Sequence, residues 1–189
     1  MGYADLIDLI HKKDTDAKKH WFDTFHNRLS AIARRYAKSE EQAGQMLHPA
    51  LHNTYEKLQG IKDTQDVEKT VVRLFIAECI AFIKEIRSEY YVASTVNASL
   101  QAKEKSFDLF DNGKTINLEE ISAETLLGAL RELVPSQRLI FNLHVIDGYS
   151  LSDAAGMLES SEFTLKSSLE KARFTLQKNI EKTLKTEGQ

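Results

Sequence analysis

The sequence predicts an all-α protein of two small helical domains joined by a linker, and three observations predict it. Proline and glycine, which punctuate chains rich in turns, number only two and eight in 189 residues. Leu, Ala, Glu, Lys and Ile dominate what remains, a composition that suits continuous helices. Apolar residues recur at helical spacing along most of the chain, but the period fades between about Val92 and Glu120. There Ser94, Thr95, Asn97, Ser99, Asp111-Asn112-Gly113 and Thr115 make a polar stretch with a turn signal. Residues 1–92 and 122–189 are therefore expected as domains and 93–121 as the linker. A hydrophobic content of 42% supplies a core for each.

In the first domain, Phe22, Phe25, Leu29, Ile32 and Tyr36 mark an amphipathic helix over Asp16–Tyr36. Ser39 is placed to cap a second helix that runs through Ala43, Leu47, Leu51, Tyr55 and Leu58 to Gly60, with a kink expected at Pro49. A third helix, from about Asp66 to Tyr91, shows a broad apolar face of Val67, Val71, Leu74, Phe75, Ile80, Ile83, Ile86 and Tyr90. Such a face suits the centre of a bundle. Cys79, the single cysteine, sits in this apolar run and reads as a core residue.

Four shorter helical patterns follow the linker: Ser122–Val134, Ser136–Ile146, Leu151–Leu158 and Ser161 to about Lys185. They are separated at Pro135, Asp147-Gly148 and Glu159-Ser160. The last is the best specified. Leu165, Leu169, Ala172, Leu176 and Ile180 hold one face, and Lys166, Lys171, Arg173, Lys178 and Lys182 lie elsewhere.

Several classes of function lack their residues. No glycine-rich phosphate loop, serine nucleophile elbow or cysteine-histidine pair at catalytic spacing occurs, so no enzymatic activity and no cofactor are expected. His48 and His52 stand four apart, but Pro49 occupies the place of a metalloprotease glutamate, and no metal is expected there. The paired carboxylates Glu40-Glu41, Asp63 with Asp66, and Glu119-Glu120 fall at helix starts or in polar stretches, where capping explains them. No window approaches a membrane span, and the N-terminus lacks the pattern of a signal peptide, so no membrane insertion and a cytoplasmic location are expected.

Two short helices joined by a tight turn, the second long and basic, form the helix-turn-helix plan, which lets one helix enter a major groove. Ala155 is read as the small residue where the two helices approach, and Leu165, ten positions later, as the apolar residue packed beneath. Ser161 would cap the second helix, whose first turns would present Glu162, Thr164, Lys166 and Ser167 to base edges or phosphates. Lys171 and Arg173 would reach the backbone. The net charge of −3 gives DNA no general attraction, but Ser160–Lys185 carries six cations against three anions, a local +3.

These residues also carry a resemblance. Glu132-Leu133, Gln137-Arg138, the run from Ile140 to Ser150, Thr164-Leu165-Lys166-Ser167 and Lys171-Ala172-Arg173 resemble region 4 of extracytoplasmic-function sigma factors. The N-terminal half is similar to region 2 of the same family. The resemblance implies that the first domain binds core RNA polymerase and opens the minus-ten element, and that the last reads promoter DNA at the minus-thirty-five element. It further implies polymerase contacts from Gln45, His48, Leu51 and Tyr55, strand-opening contacts from Lys84 and Arg87, and an anti-sigma factor as a partner. A second reading of the same resemblance is a sigma-like decoy that binds an anti-sigma factor without initiating transcription. The chain departs from the family pattern where Gln45, His48 and Pro49 replace an acidic and amide set. It also departs around Cys79–Lys84, at Glu159 in place of the turn glycine, and at Ser168 in place of an arginine.

Overall fold

A computed structural model describes residues 3–61, 66–86 and 121–187, and every regular element among them is helical. The chain divides into two compact units, Met1–Ile86 and Arg87–Gln189. The expected linker, and the end of the third helix beyond Ile86, lie outside the described residues.

The first unit holds α1 (Tyr3–His11), α2 (Ala17–Tyr36), α3 (Glu40–Leu58) and α4 (Val67–Ile86). Helix α4 packs against each of the other three, as its broad apolar face requires. Val67, Val71, Phe75, Ile76, Cys79, Ile80 and Ile83 are all buried on it. Helix α1, which no sequence signal had marked, docks through Leu6, Ile7 and Ile10. In α2 the buried stripe runs through Trp21 rather than Phe22: Trp21 is 2% exposed, and Phe22 is 38% exposed with its ring 4.5 Å from that of His26. Four residues before Phe25, Trp21 continues the Phe25–Leu29 row and stacks edge-on against Tyr55 at 5.6 Å.

Helix α3 starts where the cap predicts. Ser39 Oγ accepts from the Gln42 N–H at 3.1 Å, and Gln42 Oε1 in return accepts from the Lys38 N–H at 2.8 Å, a reciprocal closure of the helix start. The helix runs without interruption through Pro49. Helices α3 and α4 are also joined by a polar staple: the buried Glu78 accepts from Lys57 Nζ at 2.5 Å and from Asn53 Nδ2 at 2.9 Å. Both carboxylate oxygens are thus satisfied, as a buried charge demands.

The second unit holds α5 (Ala123–Arg131), α6 (Pro135–Phe141), α7 (Leu151–Leu158) and α8 (Glu162–Glu187). Helix α8 packs against the other three. Pro135 does not separate helices but occupies the first turn of α6, where its missing N–H costs nothing. Helix α6 then widens into a π turn, Asn142–Ile146, closed by the Asp147 N–H on the Asn142 carbonyl at 2.8 Å. Gly148 (φ 75°) turns the chain toward α7, and His144 Nδ1 donates to the Tyr149 carbonyl at 2.7 Å. Arg138, only 2% exposed, donates through Nη1 to the carbonyls of Leu133 at 2.7 Å and Arg131 at 3.2 Å. A buried cation there meets the negative end of α5.

Candidate nucleic-acid interface

Helices α7 and α8 meet through a three-residue turn, and each begins on a serine. Ser150 Oγ accepts from the Asp153 N–H at 3.0 Å and donates to Asp153 Oδ2 at 2.7 Å. Ser161 Oγ accepts from the Thr164 N–H at 3.1 Å and lies 2.8 Å from Thr164 Oγ1. Ser122 does the same for α5 with Thr125. These caps satisfy N–H groups that the first turn of a helix leaves open, so the start of α8 is set by its own sequence.

The turn itself is made by Glu159, which adopts φ 54°, ψ 47°. That left-handed conformation is the glycine-favoured way to end a helix, and here a glutamate holds it. The N–H groups of Glu159 and Ser160 both point to the Ala155 carbonyl, Ser160 at 3.1 Å. Ala154 is fully buried, and Ala155, ten residues before Leu165, is half-buried with its carbonyl accepting from the turn. Leu165 is 4% exposed and packs beneath, as expected.

The expected reading residues fall largely outside the core. Leu165, Leu169, Ala172, Leu176 and Ile180 are buried in α8, whereas Ser161, Glu162, Thr164 and Lys166 are exposed. Ser167 and Lys171 are half-buried. Arg173 is half-buried too, with Nε sealed from solvent and making no hydrogen bond, so less of this cation faces outward than its spacing implied. Lys178 lies 4.3 Å from the centre of the Phe174 ring. Phe163 was passed over in the sequence, yet it is 85% exposed on the first turn of α8. Its signal was available: it stands two positions before Leu165, off the apolar stripe.

Among the residues expected to meet the polymerase, Gln45 and His48 are exposed on α3. Leu51 (3% exposed) and Tyr55 (8%) instead belong to the core of the first unit, because they lie on the α3 face that packs against its neighbours. Burial, and secondarily the Glu56 carboxylate, holds the Tyr55 hydroxyl above its ordinary pKa. Lys84 is half-buried on α4, and Arg87 lies outside the described residues. Among the described residues no three potential ligands gather around a metal site, and no helix is long and apolar enough to cross a membrane.

Residues 123–176, which contain α5 through most of α8, match the family model for sigma-70, region 4. The matched segment contains the helix-turn-helix described above. The chain is also similar to a solved sigma factor, RpoE from Bartonella quintana in complex with the anti-sigma factor NepR. The two share 16% identity over 88% of this chain and 98% of that one, with a TM-score of 0.52. At that identity the likeness shows the fold. CnrH, solved in complex with the cytosolic domain of CnrY, is similar at 14% identity over 90% of this chain and 92% of that one, with a TM-score of 0.47. The comparison with curated proteins gives no match.

Proposed function

We infer that this protein is an alternative sigma factor of the extracytoplasmic-function type, which binds core RNA polymerase and directs it to a chosen set of promoters. One observation carries the reading: within the segment that matches region 4, a serine-capped helix presents Glu162, Thr164 and Lys166 to solvent. Leu165 is buried, and the neighbouring helix packs against α8. A groove-reading helix needs that separation of faces. Phosphate contacts from Lys166, Lys171 and Arg173 would orient it, and the first-turn residues would read base edges.

In this reading residues 1–92 are the polymerase-binding and minus-ten domain, residues 93–121 the linker and 122–189 the minus-thirty-five domain. Gln45 and His48 are the exposed members of the proposed polymerase contact, with Leu51 and Tyr55 supporting them from the core. Lys84 and Arg87 would face the opened strand. The phosphoryl chemistry is the polymerase's own, so the chain acts in the cytoplasm as a non-enzymatic subunit without a cofactor. The similar sigma factor from Bartonella quintana was solved with an anti-sigma factor bound, and a partner of that kind is proposed here as the regulator. Reconstitution with core polymerase, followed by mapping of transcripts that start only when the chain is added, tests the reading. Retention by core with new defined start sites is the expected result. Binding to a regulator with no initiation would favour a decoy instead.

A further inference from the structure

We propose that Phe163 is a specificity-determining residue whose ring packs against the C5-methyl group of a thymine in the major groove. The proposal rests on the region 4 reading above and deepens it. At 85% exposure Phe163 stands far outside the range of the other exposed large apolar residues among those described, the next being Val145 at 43%. An aromatic ring left in water forgoes the burial that such side chains ordinarily gain, so the fold of this unit gives no reason for it.

Its place gives one. Phe163 is the second residue of α8, on the turn capped by Ser161 and between the exposed Glu162 and Thr164. The N-terminal residues of a recognition helix are the ones that meet base edges. Among the base edges of the major groove, only thymine carries an apolar group, its C5-methyl, while the others present donors and acceptors. A phenyl ring offers no hydrogen bond, so it would leave the cytosine or adenine amino group desolvated and unpaired while rewarding a methyl.

The surroundings favour DNA over a protein partner. None of the other exposed large apolar residues, Phe22, Leu126, Val134, Val145, Ile146 and Phe174, lies on this first turn. Its neighbours along the helix, Ser161, Glu162, Thr164 and Lys166, are exposed polar and charged residues of the kinds that serve phosphates and base edges. A single ring on a helix turn whose other exposed residues are polar or charged fits one methyl group, whereas a protein interface centres on a contiguous apolar patch.

The test selects a random-sequence duplex pool with the full-length chain, alone and bound to core polymerase, in parallel with F163A. The wild-type protein is expected to enrich a thymine at one fixed position. Replacing that thymine by deoxyuridine, which lacks only the methyl, should weaken wild-type binding by about fourfold, the factor that burial of one methyl-sized group corresponds to. F163A should bind the two duplexes equally while keeping the salt dependence of the wild type. Specific binding that ignores the methyl, or a methyl effect that persists in F163A, overturns the proposal and leaves the sigma-factor reading intact. Absence of any sequence preference in the wild type, with and without core, overturns both.

Discussion

At the scale of single residues, the turn between α7 and α8 is decided by Glu159. Its left-handed backbone carries a steric cost that glycine avoids, roughly 1–2 kcal/mol for an L-residue. Part of that gain is lost to the freer unfolded chain of glycine. Glu159→Gly should therefore stabilise the second unit by about 1 kcal/mol, read as a higher urea midpoint with an unchanged slope. Lower stability would mean that the glutamate side chain holds the turn by contacts worth more than the strain. Lys166, exposed on the first turns of α8, makes a different prediction. Lys166→Ala should weaken binding to all promoter sequences alike and reduce the slope of log affinity against log salt by about 1. An unchanged slope would remove Lys166 from the phosphate contact.

At the scale of elements, the helices begin where short polar signals put them and pack where apolar faces lead. The cap at Ser39 and the one at Ser161 were legible because an N-cap needs only a hydroxyl and the N–H three residues on, both local in the chain. Helix α1 was not legible, since nine residues with Leu6, Ile7 and Ile10 inward form a short pattern that is stable only against α2 and α4. Arg138 illustrates the same limit. Its guanidinium is buried against the carbonyls of Arg131, at the end of α5, and Leu133, just beyond it, which come close only once α5 and α6 fold together. Arg138→Met, which keeps much of the volume, should cost about 2–3 kcal/mol in chemical denaturation, because it uncovers carbonyls at a buried helix end. Helix α5 also contains Gly128, around which an added Cβ would meet nothing within 4 Å. Gly128→Ala should accordingly stabilise this unit by about 0.5–1 kcal/mol, the intrinsic helix preference alone. A destabilised variant would show that the helix face bearing Gly128 is covered by chain.

At the scale of the whole molecule, a protein with a net charge of −3 must bind DNA through a local field. Promoter affinity of the full chain with core polymerase should fall steeply as salt rises, by roughly 0.9 in the logarithm for each phosphate neutralised. A flat response, measured by fluorescence anisotropy across a salt series, would argue against a phosphate-contacting α8. Residue order alone was enough for the all-α class, the start of α7 and α8, and the buried stripe of α8. Each depends on period, composition or a cap, which are properties of neighbours in the chain. Packing alone decided that Trp21 rather than Phe22 enters the core. It also left Phe163 in solvent. Trp21 and Phe22 are adjacent and comparably apolar, and only contact with a second helix breaks the tie, because burial energy depends on what lies opposite and not on the residue itself.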